Sequence, residues 1–321
     1  MKIFERILAK AIVKHLEEND VMNSTQHGFR TGRSTISQLL YYYNGILELL
    51  ESGSSVDAVY LDFAKAFDKV DHYILLKKME NLNIKGNLLK WITAFLQKRK
   101  QVVRVNGKFS EDVPVTSGVP QGSVLGPLLF LILMIDISVP VLTAALGSFA
   151  DDTRVWKSIK TKHDSFLLQT DLNGIYHWST VNNMKFNDDK FEVLSFGLKE
   201  FEVAYKTPSN AVIEGKSIVK DLGILFDCTL SFKEHILQVV SKGTQLAGWF
   251  LRSFKTRKME DMKTVLQSLI IPKMEYGSVI WSPTDVAQIN FLESVQRRFT
   301  SYMSCFQTYG ATLNMPICTV P

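Results

Sequence analysis

The stretch VDAVYLDFAKAFDKVDH, residues 56–72, passes from a short apolar run into the start of a helix. Residues 56–63 are apolar and β-prone, which predicts a buried strand. Asp71 is a residue type that caps helices, and apolar residues at helical spacing follow it as far as residue 82. Asp62 ends the strand, and a charged residue there is uncommon because ionised side chains are rarely buried. We therefore single out Asp62 as a candidate site residue.

Further elements are predicted on both sides of this stretch from periodicity and turn residues. They are helices over 4–16, 36–50, 124–135 and 165–179, a hairpin over 101–115 around Asn106-Gly107, and a strand over 191–196. This order resembles the split β-α-β-β-α-β plan, with helical regions at both ends. Ser231 and Glu234 form a capping-box pattern, which predicts the start of a helix in the C-terminal region.

A second acidic position lies in GSFADDTRVW, where apolar residues flank Asp151 and Asp152 at a predicted hairpin tip. In the split plan the first strand lies beside the central hairpin, so Asp62 and Asp151 are predicted to share one face. Two hard divalent cations about 3.5–4 Å apart require such oxygen ligands. Successive strand residues point to opposite faces, which favours Asp151 over Asp152. The alternative is an ordinary turn, in which Asp is common.

Composition and charge distribution predict a folded chain that binds a polyanion. Of 321 residues, 46% are apolar and 21% charged, enough for a large core shared by two or three subdomains. The net charge is +5, and residues 231–321 carry ten Lys+Arg against six Asp+Glu, or +4. A second basic cluster comprises Lys98, Arg99, Lys100, Arg104 and Lys108. Two basic walls suit a nucleic acid, although ordinary solvated faces are the alternative.

The cysteines indicate a reducing, intracellular setting. Cys228, Cys305 and Cys318 form neither a disulfide framework nor a zinc pattern, so we expect no disulfide partner. The first residues lack the apolar stretch of a signal peptide. The apolar run 124–135 is shorter than the roughly 20 residues of a membrane span. We expect no membrane segment, and the cytoplasm and the nucleus both remain candidate compartments.

The motifs in order resemble those of non-LTR (LINE-type, jockey-like) retrotransposon reverse transcriptases, over nearly the whole chain. VYLDFAKAFDKVDH is similar to their first palm motif, VPQGSVLGPLLFLILMIDI to their Gln-Gly motif, and SFADDT to their Ala-Asp-Asp motif. QHGFRTGRSTISQLL resembles the fingers motif, and MKFNDDKFEVLSFG the motif with a basic residue near the triphosphate. VKDLGILFD resembles the primer grip, and LESVQRRFT the tail of the thumb.

This resemblance implies an α+β fold of the right-hand polymerase type, with a ferredoxin-like palm, helical fingers and a helical thumb. It divides the chain into N-terminally truncated fingers (1–57), a palm (58–200) with a fingers-side insertion around 85–113, and primer-grip strands with the thumb (201–321). The endonuclease domain of such elements is not expected here. The implied activity is RNA-directed DNA synthesis from dNTPs on an RNA template with a DNA primer, using two Mg²⁺, with Mn²⁺ as the alternative ion.

The resemblance also assigns roles near the metals. Asp62 and Asp151 become metal ligands and Asp152 completes the acidic set. Phe67 matches the steric gate that fills the space of a ribose 2′-hydroxyl. Lys190 matches the basic residue that donates a proton to pyrophosphate.

Further positions match groups around the nucleotide. Gln121 and Gly122 match the loop that packs on the incoming nucleotide, where a glycine lets the backbone approach closely. Arg30 and Arg33 are assigned to the triphosphate or the template. Taken without the resemblance, these are a turn and two loop arginines.

Three alternatives stay open at this stage. The first is a truncated, inactive or domesticated remnant that only binds nucleic acid. The second is another palm enzyme such as a nucleotide cyclase, which the basic C-terminal region and the Gln-Gly loop disfavour. The third is a helical scaffold protein, which leaves the motif order unexplained.

Overall fold

The computed structural model describes residues 2–199, 201, 203–256 and 258–302. They form two compact units that divide between Lys216 and Ser217. The strands are β1 (Ser55–Leu61), β2 (Lys100–Gln101), β3 (Arg104–Val105), β4 (Lys108–Phe109), β5 (Val113–Pro114), β6 (Ala145–Phe149), β7 (Asp152–Ile159), β8 (Glu192–Phe196), β9 (Glu214–Lys216), β10 (Ile218–Asp221) and β11 (Ile224–Asp227).

The predicted periodic segments are helical, a further helix over Gly86–Leu96 was not predicted, and several helices follow Lys233. The α-helices are α1 (Lys2–Glu18), α2 (Thr35–Glu51), α3 (His72–Asn81), α4 (Gly86–Leu96), α5 (Leu125–Met134), α6 (Lys162–Val181), α7 (Lys233–Ser253), α8 (Met259–Val265), α9 (Ile271–Met274), α10 (Ser278–Trp281) and α11 (Val286–Thr300). Short 3₁₀ turns lie at Ala66–Asp68 and Asp188–Lys190, and a π-helix at Leu266–Ile270.

The first unit is built on a five-stranded sheet in the order β6-β7-β1-β8-β9. β1 pairs antiparallel with both β7 and β8, and β9 runs parallel to β8. Helices α3 to α5 connect β1 to β6, and α6 connects β7 to β8. The first four of these strands follow the split β-α-β-β-α-β plan, so the predicted sheet is confirmed.

Both faces of β1 are covered. Six of its seven residues are buried. On one face Tyr42 of α2 lies edge-on to Trp156 of β7, with ring centroids 5.2 Å apart. On the other face, Val59 belongs to the main apolar cluster together with residues of α3, α5 and α6. A strand buried on both sides reads as a continuous apolar run rather than an alternating one.

Helix α5 is the buried centre of this unit, as its uncharged sequence predicts. Its N-terminus is capped from a distant part of the chain. The Glu5 carboxylate accepts hydrogen bonds from the backbone N–H groups of Val124 (2.8 Å) and Leu125 (3.4 Å). The negative charge also complements the positive end of the helix dipole. Glu5 is buried because this contact satisfies it.

Asp57 is a second buried carboxylate, in β1 at the end opposite Asp62. It accepts hydrogen bonds from Ser195 Oγ and Tyr205 Oη, each at 2.6 Å. It also forms an ion pair with Lys199, whose side chain is only 13% exposed. Burial, then the charge of Asp57 and its hydrogen bond, raise the pKa of Tyr205, which therefore stays protonated.

The hairpin predicted over 101–115 is present but only short ladders hold it. β2 pairs with β5 and β3 with β4, over two residues each. Asn106 and Gly107 both have positive φ, 49° and 81°, as the two central residues of a type I′ turn require.

The second unit contains the antiparallel pair β10–β11 and helices α7 to α11. The predicted capping box at Ser231 is wrong. α7 begins after Phe232, which has φ 53° and makes no side-chain cap. The Ser231 hydroxyl instead donates to Asp227 Oδ2 (3.2 Å), because this carboxylate gathers the turn before the helix.

No helix in the described part of the chain is long and apolar enough to span a bilayer. Cys228, the one cysteine within that part, is a free thiol. Cys305 and Cys318 lie outside the described residues.

Candidate active site

Three carboxylates meet at one end of the sheet. Leu61 of β1 pairs with Thr153 of β7. Asp62 follows Leu61 and Asp152 precedes Thr153, so these two acids leave neighbouring strands at the same edge. Asp151 immediately precedes Asp152 and lies in the two-residue turn that joins β6 to β7. Hydrogen bonding between β1 and β7 therefore brings together residues 89 positions apart in the sequence.

The charges of these groups influence one another. Burial and the nearby Asp62 charge raise the pKa of Asp151, and Lys190 counteracts this. Burial and the Asp151 charge raise the pKa of Asp152, which Arg154 and Lys190 oppose. Lys190 Nζ lies 3.2 Å from Asp62 Oδ2, in an ion pair where Asp62 is 29% exposed.

The residues fit a site for hard cations held partly by substrate. In the described ranges, no set of three or more His, Cys, Asp or Glu side chains is arranged to hold a metal ion. Mg²⁺ is usually held by one or two carboxylates, water and substrate phosphates rather than by a complete protein cage. The Asp62 charge disfavours ionisation of Asp151, and a cation between the two carboxylates would offset that effect.

The turn that carries Asp151 is held by the loop before α2. Gln26 Oε1 accepts from the backbone N–H of Ala150 (2.9 Å), and Gln26 Nε2 donates to the Ala150 carbonyl (3.0 Å). Ala150 has φ 58°, which is unfavourable for a residue with a Cβ. Gly28 lies against the same turn, where a Cβ would sit 2.3 Å from Ala150 N. Neither residue was predicted from the sequence, although a glycine in a polar loop can indicate a close backbone approach.

Phe67 lies beside this site in an aromatic group. Its ring stacks on Phe130 of α5, with centroids 4.4 Å apart and planes 21° apart. Phe29 approaches it edge-on at 5.9 Å and 84°. The backbone carbonyl of Phe67 accepts from Val119 N–H (2.9 Å), which ties it to the Gln-Gly loop.

The Gln-Gly loop lies on the turn that follows Asp62. Gln121 Nε2 donates to Asp68 Oδ1 (2.9 Å). Gly122 has φ 78° and open space around its Cβ position, so left-handed backbone is what requires glycine there in this structure. The close approach occurs at Gly118, where a Cβ would lie 2.8 Å from the Asp68 carbonyl oxygen.

The two loop arginines bond within their own loop. Arg30 Nη1 donates to the carbonyls of Asn23 (2.5 Å) and Gln26 (3.3 Å). Arg33 Nη1 lies 3.2 Å from His27 Nε2. Burial, then Arg33 and Arg30, lower the pKa of His27 to about 4, so this imidazole is neutral at physiological pH. The arginines thus have structural contacts, and their contact with a triphosphate or template stays a prediction.

Comparison with known proteins assigns the family. The model of the family described as "Reverse transcriptase (RNA-dependent DNA polymerase)" matches residues 1–226. The chain belongs to the reverse transcriptase family. Reverse transcriptases generally use divalent metal ions. The predicted family is therefore confirmed, and the carboxylates at the ends of β1 and β7 lie within the matched region.

Relatives from non-LTR retrotransposons match most of this chain. It is 28% identical over 310 residues to the probable RNA-directed DNA polymerase from transposon X-element of Drosophila melanogaster. It is 27% identical over 312 residues to the RNA-directed DNA polymerase from mobile element jockey of the same species. Each match covers 92% of this chain and 34% of the relative. The chain therefore spans about a third of the length of these relatives.

Solved telomerase structures have a similar fold. The telomerase from Candida albicans, solved with a fragment of telomeric RNA, matches with a TM-score of 0.56 at 12% identity. The match covers 96% of this chain and 56% of that one. The apo telomerase from Candida tropicalis gives a TM-score of 0.53 at 9% identity, over 96% and 51% of the two chains. These similarities confirm the predicted fold class, a right-hand polymerase of mixed helix and sheet.

Proposed function

We propose that this chain is the polymerase core of a non-LTR retrotransposon reverse transcriptase, which extends a DNA primer along an RNA template. The observation that carries this proposal is the meeting of Asp62, Asp151 and Asp152 at adjacent strand ends. A cluster of carboxylates at adjacent strand ends suits nucleotidyl transfer, in which the primer 3′-hydroxyl attacks the α-phosphate of a dNTP. Family membership and the retrotransposon relatives support the same reaction.

We assign Asp62 and Asp151 as the ligands of two Mg²⁺ ions, with Mn²⁺ as the alternative. Asp152 completes the acidic set from the first position of β7. When bound, the ions supply positive charge to the attacking hydroxyl, the triphosphate and the leaving pyrophosphate. The Asp62 charge raises the pKa of Asp151, which supports a cation site between the two carboxylates.

Other side chains orient the nucleotide and its proton. Phe67 is held by stacking on Phe130 and is suited to fill the space of a ribose 2′-hydroxyl. Gln121, which donates to Asp68, and Gly122 belong to the loop that we assign to the incoming nucleotide. Lys190 holds an ammonium group 3.2 Å from Asp62, within reach of a leaving pyrophosphate, to which we assign proton donation.

Arg30 and Arg33 lie in the loop that holds the turn carrying Asp151. We assign them to the charge of the triphosphate or the template, in addition to their contacts within the loop. The +4 charge of residues 231–321 supports contacts to phosphates of the primer–template duplex. Such binding is expected to weaken strongly with salt and to depend little on sequence. We propose that the protein acts inside the cell, in the cytoplasm, the nucleus or both, because its proposed substrates, RNA and dNTPs, are present there.

Primer extension tests this function. Purified protein receives an RNA template with an annealed DNA primer, dNTPs and Mg²⁺. Asp151→Asn removes one charge from the site while keeping size and hydrogen-bonding capacity, and we expect it to abolish extension. Asp20→Asn is the matched control, because Asp20 is exposed at the end of α1 and has φ 51°, a conformation that Asn also tolerates.

The outcomes separate the candidates. Extension by the wild type and Asp20→Asn but not by Asp151→Asn supports the polymerase. Extension by Asp151→Asn at the wild-type rate would refute the assigned site. No extension by the wild type, with salt-sensitive duplex binding retained, would instead identify a protein that only binds nucleic acid.

A further inference from the structure

Phe29 combines two features that are unfavourable for a phenylalanine. Its side chain is 53% exposed, so much of its apolar surface stays in water. Its backbone has φ 54°, in the left-handed region that costs a non-glycine residue about 1–2 kcal/mol. Residues held in such conformations are concentrated at active sites and ligand contacts. Folding alone therefore does not explain a phenylalanine at this position.

The chain holds Phe29 firmly on both sides. Gly28 before it lies against the turn that precedes Asp151, at a distance that excludes a Cβ. Gly28 N–H also donates to Gln26 Oε1 (2.8 Å). Arg30 after it donates to two carbonyls of the same loop. Phe29 is thus fastened to the turn that carries the predicted metal ligand, and its ring is directed by the loop rather than left free.

The Phe29 ring meets Phe67 edge-on, with centroids 5.9 Å apart and planes at 84°. Phe67 is already stacked on Phe130 at 4.4 Å. With Phe130 on a face and Phe29 on another side, Phe67 has little freedom to rotate. The exposed part of Phe29 remains available to a ligand that lies over Phe67.

We propose that Phe29 and Phe67 form two walls of one sugar pocket, and that Phe29 is a specificity-determining residue for deoxynucleotides over ribonucleotides. This rests on the proposed function, in which Phe67 lies beside the nucleotide sugar. Phe29 prevents Phe67 from turning away from a 2′-hydroxyl and closes the pocket on a second side. Removing the Phe29 ring leaves Phe67 present but allows its ring to rotate away from a 2′-hydroxyl.

The test compares dCTP with CTP on an RNA template that presents guanine. Two substitutions remove the ring: Phe29→Ala keeps the strained backbone, whereas Phe29→Gly relieves it. We expect both to lower the preference for dCTP, as a ratio of kcat/KM, by about tenfold, the scale at which apolar pockets discriminate small groups. Phe166→Ala is the matched control, since Phe166 is also a largely exposed phenylalanine (65%), on α6.

The two variants separate specificity from a structural role. A fall of the dCTP preference in both, with Phe166→Ala unchanged, supports the pocket. Equal losses of kcat/KM for dCTP and CTP, or an unchanged preference, would overturn it. A loss in Phe29→Ala that Phe29→Gly restores would also overturn it, because backbone strain would then be the cause.

A binding measurement keeps this test independent of turnover. A primer ending in a dideoxynucleotide forms the complex without chemistry, and the affinities for dCTP and CTP are compared directly. If the wild type fails to extend primers but binds dCTP more tightly than CTP, the proposed polymerase activity fails, and the Phe29 variants still report the pocket. Equal wild-type affinities for the two nucleotides would overturn the pocket itself.

Discussion

Replacing Gly28 with alanine perturbs the site through a single added methyl group. The new Cβ would lie 2.3 Å from the backbone nitrogen of Ala150 and 3.0 Å from its Cα. Real Cβ atoms essentially never come closer than 3.0 Å, so the loop and the turn must separate by about 0.7 Å (3.0 − 2.3). The obstacle is backbone rather than the end of a flexible side chain. The turn that must move leads directly into Asp151.

This separation affects both stability and rate. Overpacking of this kind destabilises by about 1–3 kcal/mol, which lowers Tm by several degrees at about 2–4 °C per kcal/mol. A misplacement of about 1 Å at a catalytic group lowers the rate by about a hundredfold. With about 0.7 Å shared between loop and turn, we expect primer extension to fall by about tenfold to a hundredfold.

Thermal unfolding and primer extension on the same preparations measure the two effects. Gly215→Ala in β9 is the matched control, because a Cβ there has nothing within 4 Å. In Gly28→Ala, the two hydrogen bonds between Gln26 and Ala150 can persist only if the turn keeps its position. If Gly28→Ala melts and extends primers like Gly215→Ala, the loop does not position the turn and the reasoning is refuted.

Two further predictions concern buried titratable groups. Asp57→Asn leaves the Lys199 charge unpaired in a buried setting, so we expect a loss of about 3–5 kcal/mol in urea unfolding. Adding Lys199→Met should recover most of it, and a double variant as unstable as Asp57→Asn would contradict the ion-pair explanation. His27 has a folded pKa of about 4 against 6.5 when unfolded, so the unfolded state binds more protons between these values, and stability is lost as the pH is lowered through that window. His27→Gln should therefore lose less stability than the wild type between pH 7 and pH 5. Parallel losses would contradict a role for His27, and His235→Gln would then be the next variant to test, since its pKa is also about 4.

Local sequence predicted most of the elements and the strand ends at which Asp62 and Asp151 lie, but not the helix α4. The apolar run before Asp62 predicted β1, and turn residues predicted the tip that carries Asp151. Because the split plan has few arrangements, the order of the elements was enough to place β1 beside β7. Alternation along a strand predicted that Asp151 and Asp152 differ in position. In the structure Asp152 is the first residue of β7 and Asp151 lies in the turn before it.

Contacts between distant segments were not predicted, because periodicity and turn chemistry report only on near neighbours. Gln26 and Gly28 hold a turn 122 or more positions away, and no local pattern in either segment encodes that contact. The wrong prediction at Ser231 has a different cause, because two local interactions compete for one hydroxyl. Its capping pattern is sound locally, but Asp227 offers its hydroxyl a stronger acceptor. The strand-end acids thus follow from the order of residues. The support of the turn that carries Asp151 and the contact between Phe29 and Phe67 arise only when packing brings those segments together.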